Sequence, residues 1–76
     1  MKDFIAFLAQ SLVDNPDKIE VMELGEGRTR VIELKVAQED FGRIIGRKGR
    51  TVNAIRTLLD AASIKMKKNI VLEVIE

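Results

Sequence analysis

A long helical pattern over residues 38–67 is interrupted by two glycines, Gly46 and Gly49, and lies between two segments that read as strands. In the first of these, residues 28–36, Ile32, Leu34 and Val36 point one way while Val31, Glu33 and Lys35 point the other. The second, residues 70–75 (Ile-Val-Leu-Glu-Val-Ile), is rich in β-branched side chains. Roughly thirty residues separate them, which is a crossover length and not a hairpin length. The two strands are therefore expected to run parallel, joined by a right-handed connection that holds two helices.

The rest of the chain adds a helix and a further strand. Residues 2–13 place Phe4, Ile5, Leu8 and Leu12 at three- and four-residue spacing, with Asp3 near the positive end of the helix dipole. Phe4, Phe7 and Phe41 are read as core residues and not as stacking platforms. Asp14-Asn15-Pro16-Asp17 stops the helix, with the two acids as turn and cap residues. Residues 18–25 read as a strand whose apolar phase shifts from Ile19 and Val21 to Met22 and Leu24, so a bulge and two-sided burial are both open. Gly25-Glu26-Gly27 turns it into the strand at 28–36 as an antiparallel hairpin. The expected fold is one α+β domain over residues 1–76, ordered αββααβ, with a three-stranded mixed sheet covered on one face by helices. Within the second helical segment, Val52, Ile55, Leu58, Leu59, Ala62 and Met66 form the expected buried stripe.

The interruption itself carries chemistry. Residues 42–51 read Gly-Arg-Ile-Ile-Gly-Arg-Lys-Gly-Arg-Thr. Glycine permits a sharp turn and close approach of another backbone. The helix after Gly49 directs unpaired N–H groups at the loop, a setting that favours phosphate. Arg47 and Lys48 occupy the loop tip, flanked by Arg43 and Arg50, and are expected to add charge-assisted phosphate contacts. Ile44, Ile45 and Val52 are core candidates first and walls of an apolar groove second, with part of the sheet as the opposite wall. A nucleotide-binding P-loop is absent, because the sixth position from Gly42 is Arg47 where glycine is required. The dinucleotide fingerprint fails on glycine spacing.

Charge supports a polyanion at this loop. Net charge is only +1, but residues 1–40 carry five cations against nine acids and residues 41–76 carry eight against three. From Phe41 to Arg56 there are five cations and no acid. Lys65, Lys67 and Lys68 read as a solvated helix end. With no histidine and no cysteine, the commonest general base and metal ligand are missing, and no nucleophile–base pair is visible. An enzyme, a metal site and a cofactor are not expected. No apolar run reaches membrane-spanning length, so membrane insertion is not expected and a cytoplasmic location is.

Together these residues resemble the KhpA family of small bacterial KH-domain RNA-binding proteins. The stretches that carry the resemblance are Leu12–Asp17, Gly27-Arg28-Thr29, Glu39–Thr51 and Ala54–Leu59. The resemblance implies a type II KH fold in which the GXXG loop, here Gly46-Arg47-Lys48-Gly49, grips single-stranded RNA. It further implies a non-enzymatic post-transcriptional regulator linked to cell envelope growth, cell shape and division. Implied partners are a second copy, as a homodimer, and a larger KH-containing protein of the KhpB (Jag/EloR) type, as a heterodimer. Two cations fill the variable loop positions where many relatives have one, and Gln38 stands where proline is frequent.

Overall fold

A computed structural model describes residues 1–76. The elements run α1 (Lys2–Leu12), β1 (Glu20–Leu24), β2 (Thr29–Lys35), α2 (Phe41–Ile45), α3 (Arg50–Met66) and β3 (Asn69–Ile75). Short 3-10 turns at Pro16–Lys18, Gln38–Asp40 and Arg47–Gly49 lead into β1, α2 and α3. The expected order αββααβ is the observed one. The sheet order is β1-β2-β3, with β1 and β2 antiparallel and β2 and β3 parallel.

Register explains which side chains are buried. Ile32 and Leu34 sit beside Leu72 and Val74 of β3, on the face the helices cover. The alternate set, Val31, Glu33 and Lys35 with Val71, Glu73 and Ile75, lies on the open face. β1 pairs with β2 without a break, so it contains no bulge. Its phase shift has a simpler cause. Val21 opposes Leu34 on the helix side, whereas Met22 and Leu24 oppose Glu33 and Val31 on the open side and are exposed.

One cluster of eleven buried residues forms the core: Ile5 and Ala9 of α1, Ile32, Leu34 and Val36, Ile44 of α2, Val52, Ile55 and Leu59 of α3, and Ile70 and Leu72 of β3. Fully burying one such side chain stabilises by about 1.5–3 kcal/mol. Three expectations about the core are corrected. Phe4 and Phe7 are exposed, because α1 turns the Ile5–Ala9 edge of its apolar surface inward and leaves the phenylalanines at the margin. Leu12 is also exposed, so the α1 stripe is narrower than its spacing suggests. In α3, Leu58 lies off the Val52–Ile55–Leu59 line, and Met66 falls in the last turn; both are exposed.

The end of α3 is set by local chemistry. Lys67 takes a left-handed conformation with φ 56°, and the N–H groups of Lys67 and Lys68 close on the carbonyls of Ile64 and Ser63. The Ser63 hydroxyl donates to the Leu59 carbonyl and accepts the Ile70 N–H at 3.1 Å, which fixes the start of β3 against α3. This contact places one edge of β3 alongside α3.

Candidate nucleic-acid interface

Gly46 ends α2 with φ 78° and ψ 170°, a region open in practice only to glycine. A Cβ there would also run into the side chain and backbone nitrogen of Thr51. Its N–H returns to the Gly42 carbonyl at 2.8 Å, and the Gly49 N–H closes on the Gly46 carbonyl at 3.1 Å. Lys48 at φ 56° and Gly49 at φ 75° are left-handed as well. The chain thus makes a tight, outward loop between two helices, and no side chain caps the N-terminus of α3.

Arg47, Lys48 and Arg50 are exposed, and none of their side chains hydrogen-bonds or ion-pairs within the protein. All three cations remain free to meet an anion. Arg43 differs. Its guanidinium lies 3.1 Å from the Asp14 carboxylate, so it is partly neutralised and tied to the loop after α1. Because both groups are more than half exposed, this pair holds orientation more than it adds stability.

The apolar residues divide. Ile44 is fully buried and Val52 nearly so, and both belong to the core. From the core they support the two helices that carry the loop. Ile45 is partly buried and packs against the core from the loop side, which leaves it alone of the three to offer apolar surface beside the cations. Of the nine residues singled out, the structure brings Gly46, Arg47, Lys48, Gly49, Arg50 and Ile45 to one surface, keeps Arg43 near it in an ion pair, and buries Ile44 and Val52.

The part of the sheet that borders a cleft, which the sequence leaves unassigned, is the outer edge of β3. A groove of about 260 Å³ opens between α3 and β3, lined by Arg56, Leu59, Asp60 and the run Asn69–Leu72. Since β3 is an edge strand, every second backbone N–H and C=O along it faces outward without a strand partner. Arg56 reaches across the groove and donates to the Leu72 carbonyl at 3.4 Å. Arg56 lies six residues beyond Arg50, about 9 Å along the helix axis, so loop and groove are within reach of one short oligonucleotide.

A further residue escaped the sequence reading. Asp40, 1% exposed, accepts the backbone N–H groups of Asp14 and Asn15 at 3.2 and 3.0 Å and the Asn15 side-chain amide at 2.9 Å. It fastens the segment after α1 to the beginning of α2, and α2 carries the glycine loop. Burial alone would raise its pKa. The hydrogen bonds from the Asn15 side chain and from the backbone of Asp14 and Asn15, with the Arg43 charge nearby, outweigh burial and hold the carboxyl below its usual range.

No group of three or more His, Cys, Asp or Glu side chains is placed to hold a metal ion. No helix is long and apolar enough to cross a membrane.

Comparison with known proteins agrees with this geometry. The family model described as KhpA/KhpB, KH domain, matches residues 2–74. The chain is 48% identical to the RNA-binding protein KhpA of Caldanaerobacter subterraneus subsp. tengcongensis over 75 residues, which cover 99% of this chain and all of that relative. It is 45% identical to the protein of the same name from Clostridium acetobutylicum, with the same coverage of both chains. Identity to that of Aquifex aeolicus is 43% over 76 residues, all of this chain and 96% of the relative. No solved structure matches. A GXXG turn between two helices, a parallel β2–β3 pair and a family match over nearly every residue converge, and the chain belongs to the KhpA/KhpB family of KH domains.

Proposed function

We propose that this chain binds single-stranded RNA. The observation that carries the reading is the loop: Arg47, Lys48 and Arg50 stand unpaired around a glycine turn at the start of α3, and the α3–β3 groove opens beyond it. Phosphates sit at the loop and the helix N-terminus, and bases lie in the groove between α3 and the β3 edge. The relatives' printed name, RNA-binding protein KhpA, supports the ligand class. In this reading the protein works in the cytoplasm as a non-enzymatic post-transcriptional regulator linked to cell envelope growth and division.

Salt dependence tests it. A clamp on two to four phosphates predicts that log K falls against log salt with a slope of about −1.5 to −3, from roughly 0.7 per phosphate on single strands. Fluorescence anisotropy with short labelled oligonucleotides measures this. A duplex of the same sequence is expected to bind more weakly, because its bases cannot enter the groove. A salt-independent signal, or a preference for duplex, contradicts the reading.

Exposed apolar side chains favour a second role alongside the first. Ile64 on α3 is 81% exposed and Phe7 on α1 is 66% exposed, with Leu58 and Met66 also open. We infer that such surface serves pairing, with a second copy or with a KhpB (Jag/EloR)-like protein, and that pairing raises the weak affinity of one small site. Val52 and Ile55 are buried in the core and take no part. A mass of one chain by light scattering at every concentration rules out the homodimer.

A further inference from the structure

The α3–β3 groove contains an acid, which is an unexpected group in a site for a polyanion. Asp60 stands one turn beyond Arg56 on α3 and lines the groove with it. The molecule's two ion pairs are Lys18–Glu39 and Arg43–Asp14, so the Asp60 carboxylate is not spent on a protein cation. A carboxylate repels phosphate and can only accept hydrogen bonds. If a nucleotide occupies the groove, the groups that satisfy Asp60 are N–H donors on a base edge. Arg56 supplies the complementary kind. One of its N–H groups goes to the Leu72 carbonyl, and its remaining donors have no protein partner. Leu59, Ile70 and Leu72, nearly all of whose surface is buried, line the groove beneath them, so its base is apolar.

We propose that Asp60 and Arg56 make this groove selective for a base bearing an exocyclic amine, and that it rejects uracil. The inference rests on the RNA-binding reading above. Cytosine shows the chemistry most cleanly. Its N4 amine donates to Asp60, while its neighbouring ring nitrogen and carbonyl accept from Arg56. Uracil has the same ring size but a carbonyl at position 4. In the same pose that oxygen would face the carboxylate and uracil's N3–H would face the Arg56 donors, so the ring has to slide to bring N3–H to Asp60 and gives up its contact with Arg56. Adenine carries an amine in the equivalent place and is accepted on the same grounds. The phosphate loop is indifferent to base identity, so discrimination of this kind has to come from the groove.

The test is anisotropy near neutral pH with labelled oligo(C) and oligo(U) of eight nucleotides, using the wild type, Asp60→Asn and Asp60→Ala. A good bidentate base contact separates bases by up to two orders of magnitude; in a groove open to water the expected preference for oligo(C) is about fivefold. Asp60→Asn offers both a donor and an acceptor and is expected to bring the ratio close to one. Both variants also remove a negative charge and should tighten binding of both oligonucleotides, so the ratio, not either Kd, is the readout. Equal binding of oligo(C) and oligo(U) by the wild type, or a ratio unchanged in Asp60→Asn, overturns the selectivity while leaving RNA binding intact. Binding of neither oligonucleotide overturns the RNA-binding reading and this inference with it.

Discussion

Reversing both charges at the loop tip, Arg47→Asp with Lys48→Asp, is expected to reduce affinity for single-stranded RNA about 100-fold, taking each lost charged contact at roughly 1.5 kcal/mol. The circular dichroism spectrum should not change. Both side chains are exposed and make no contact that the fold relies on, so their loss costs the native state little. Arg47 has ordinary helical geometry, and Lys48 at φ 56° tolerates aspartate, one of the residue types more often seen in that region. The effect therefore reports on the ligand and not on folding. Wild-type affinity in the folded variant would mean that the loop only joins two helices and that nucleic acid, if bound, is held elsewhere.

Asp40→Asn is expected to have the largest effect on stability of any single isosteric change, lowering the thermal midpoint on the order of 10 °C. The native carboxylate is an acceptor for three N–H donors. An asparagine amide keeps one acceptor and turns a second donor towards groups that can only donate, so at least one buried N–H loses its partner. The pH dependence follows from the lowered native pKa. The stabilisation is fully present above the ordinary carboxylate value of 3.8 and is lost as the pH falls below it through the lower native value. Thermal melts from neutral pH down to about pH 2.5 should show this acid-labile part in the wild type and not in Asp40→Asn. A variant that melts like the wild type, with the same acid sensitivity, would show that the Asp40 clasp contributes nothing.

The two predictions differ in how visible their residues are in the sequence. Arg47 and Lys48 are legible because glycine at both ends of a two-residue span permits the sharp turn that so short a link between two helices requires, and such a turn points the span outward. Asp40 is not legible. An acid in the first turn of a helix is ordinarily read as a dipole partner in solvent, whereas its donors lie 25 and 26 residues away in the chain. The Asp14 partner of Arg43 is distant in sequence for the same reason.

Strand and helix limits were readable to within one or two residues where periodicity was regular, as in β2, α3 and β3. The start of β1 lies two residues later than residue 18, because Lys18 closes a 3-10 turn with Pro16 and Asp17 before the strand begins at Glu20. Periodicity gives the apolar side of a helix but not how much of it a neighbour covers. Hence Phe4, Phe7, Leu12, Leu58 and Met66 read as core and stand exposed, whereas Ile44 and Val52, read as core first and groove walls second, lie in the core. The wall formed by the β3 edge depends on sheet order, which only the assembled fold reveals. The groove-lining pair Arg56 and Asp60 is written in the sequence as an ordinary i, i+4 pair on a helix surface, with nothing to mark it as facing a cleft.

The most direct test of the account is an amide chemical-shift map of the isotopically labelled protein titrated with a short single-stranded RNA. The shifting amides are expected to fall in two groups, Gly46–Val52 around the loop and Arg56, Asp60 and Asn69–Leu72 along the groove. The open sheet face at Met22, Leu24, Val31 and Ile75 should remain still. Shifts confined to that face, or to α1 around Phe4 and Phe7, with the loop unmoved, would contradict it.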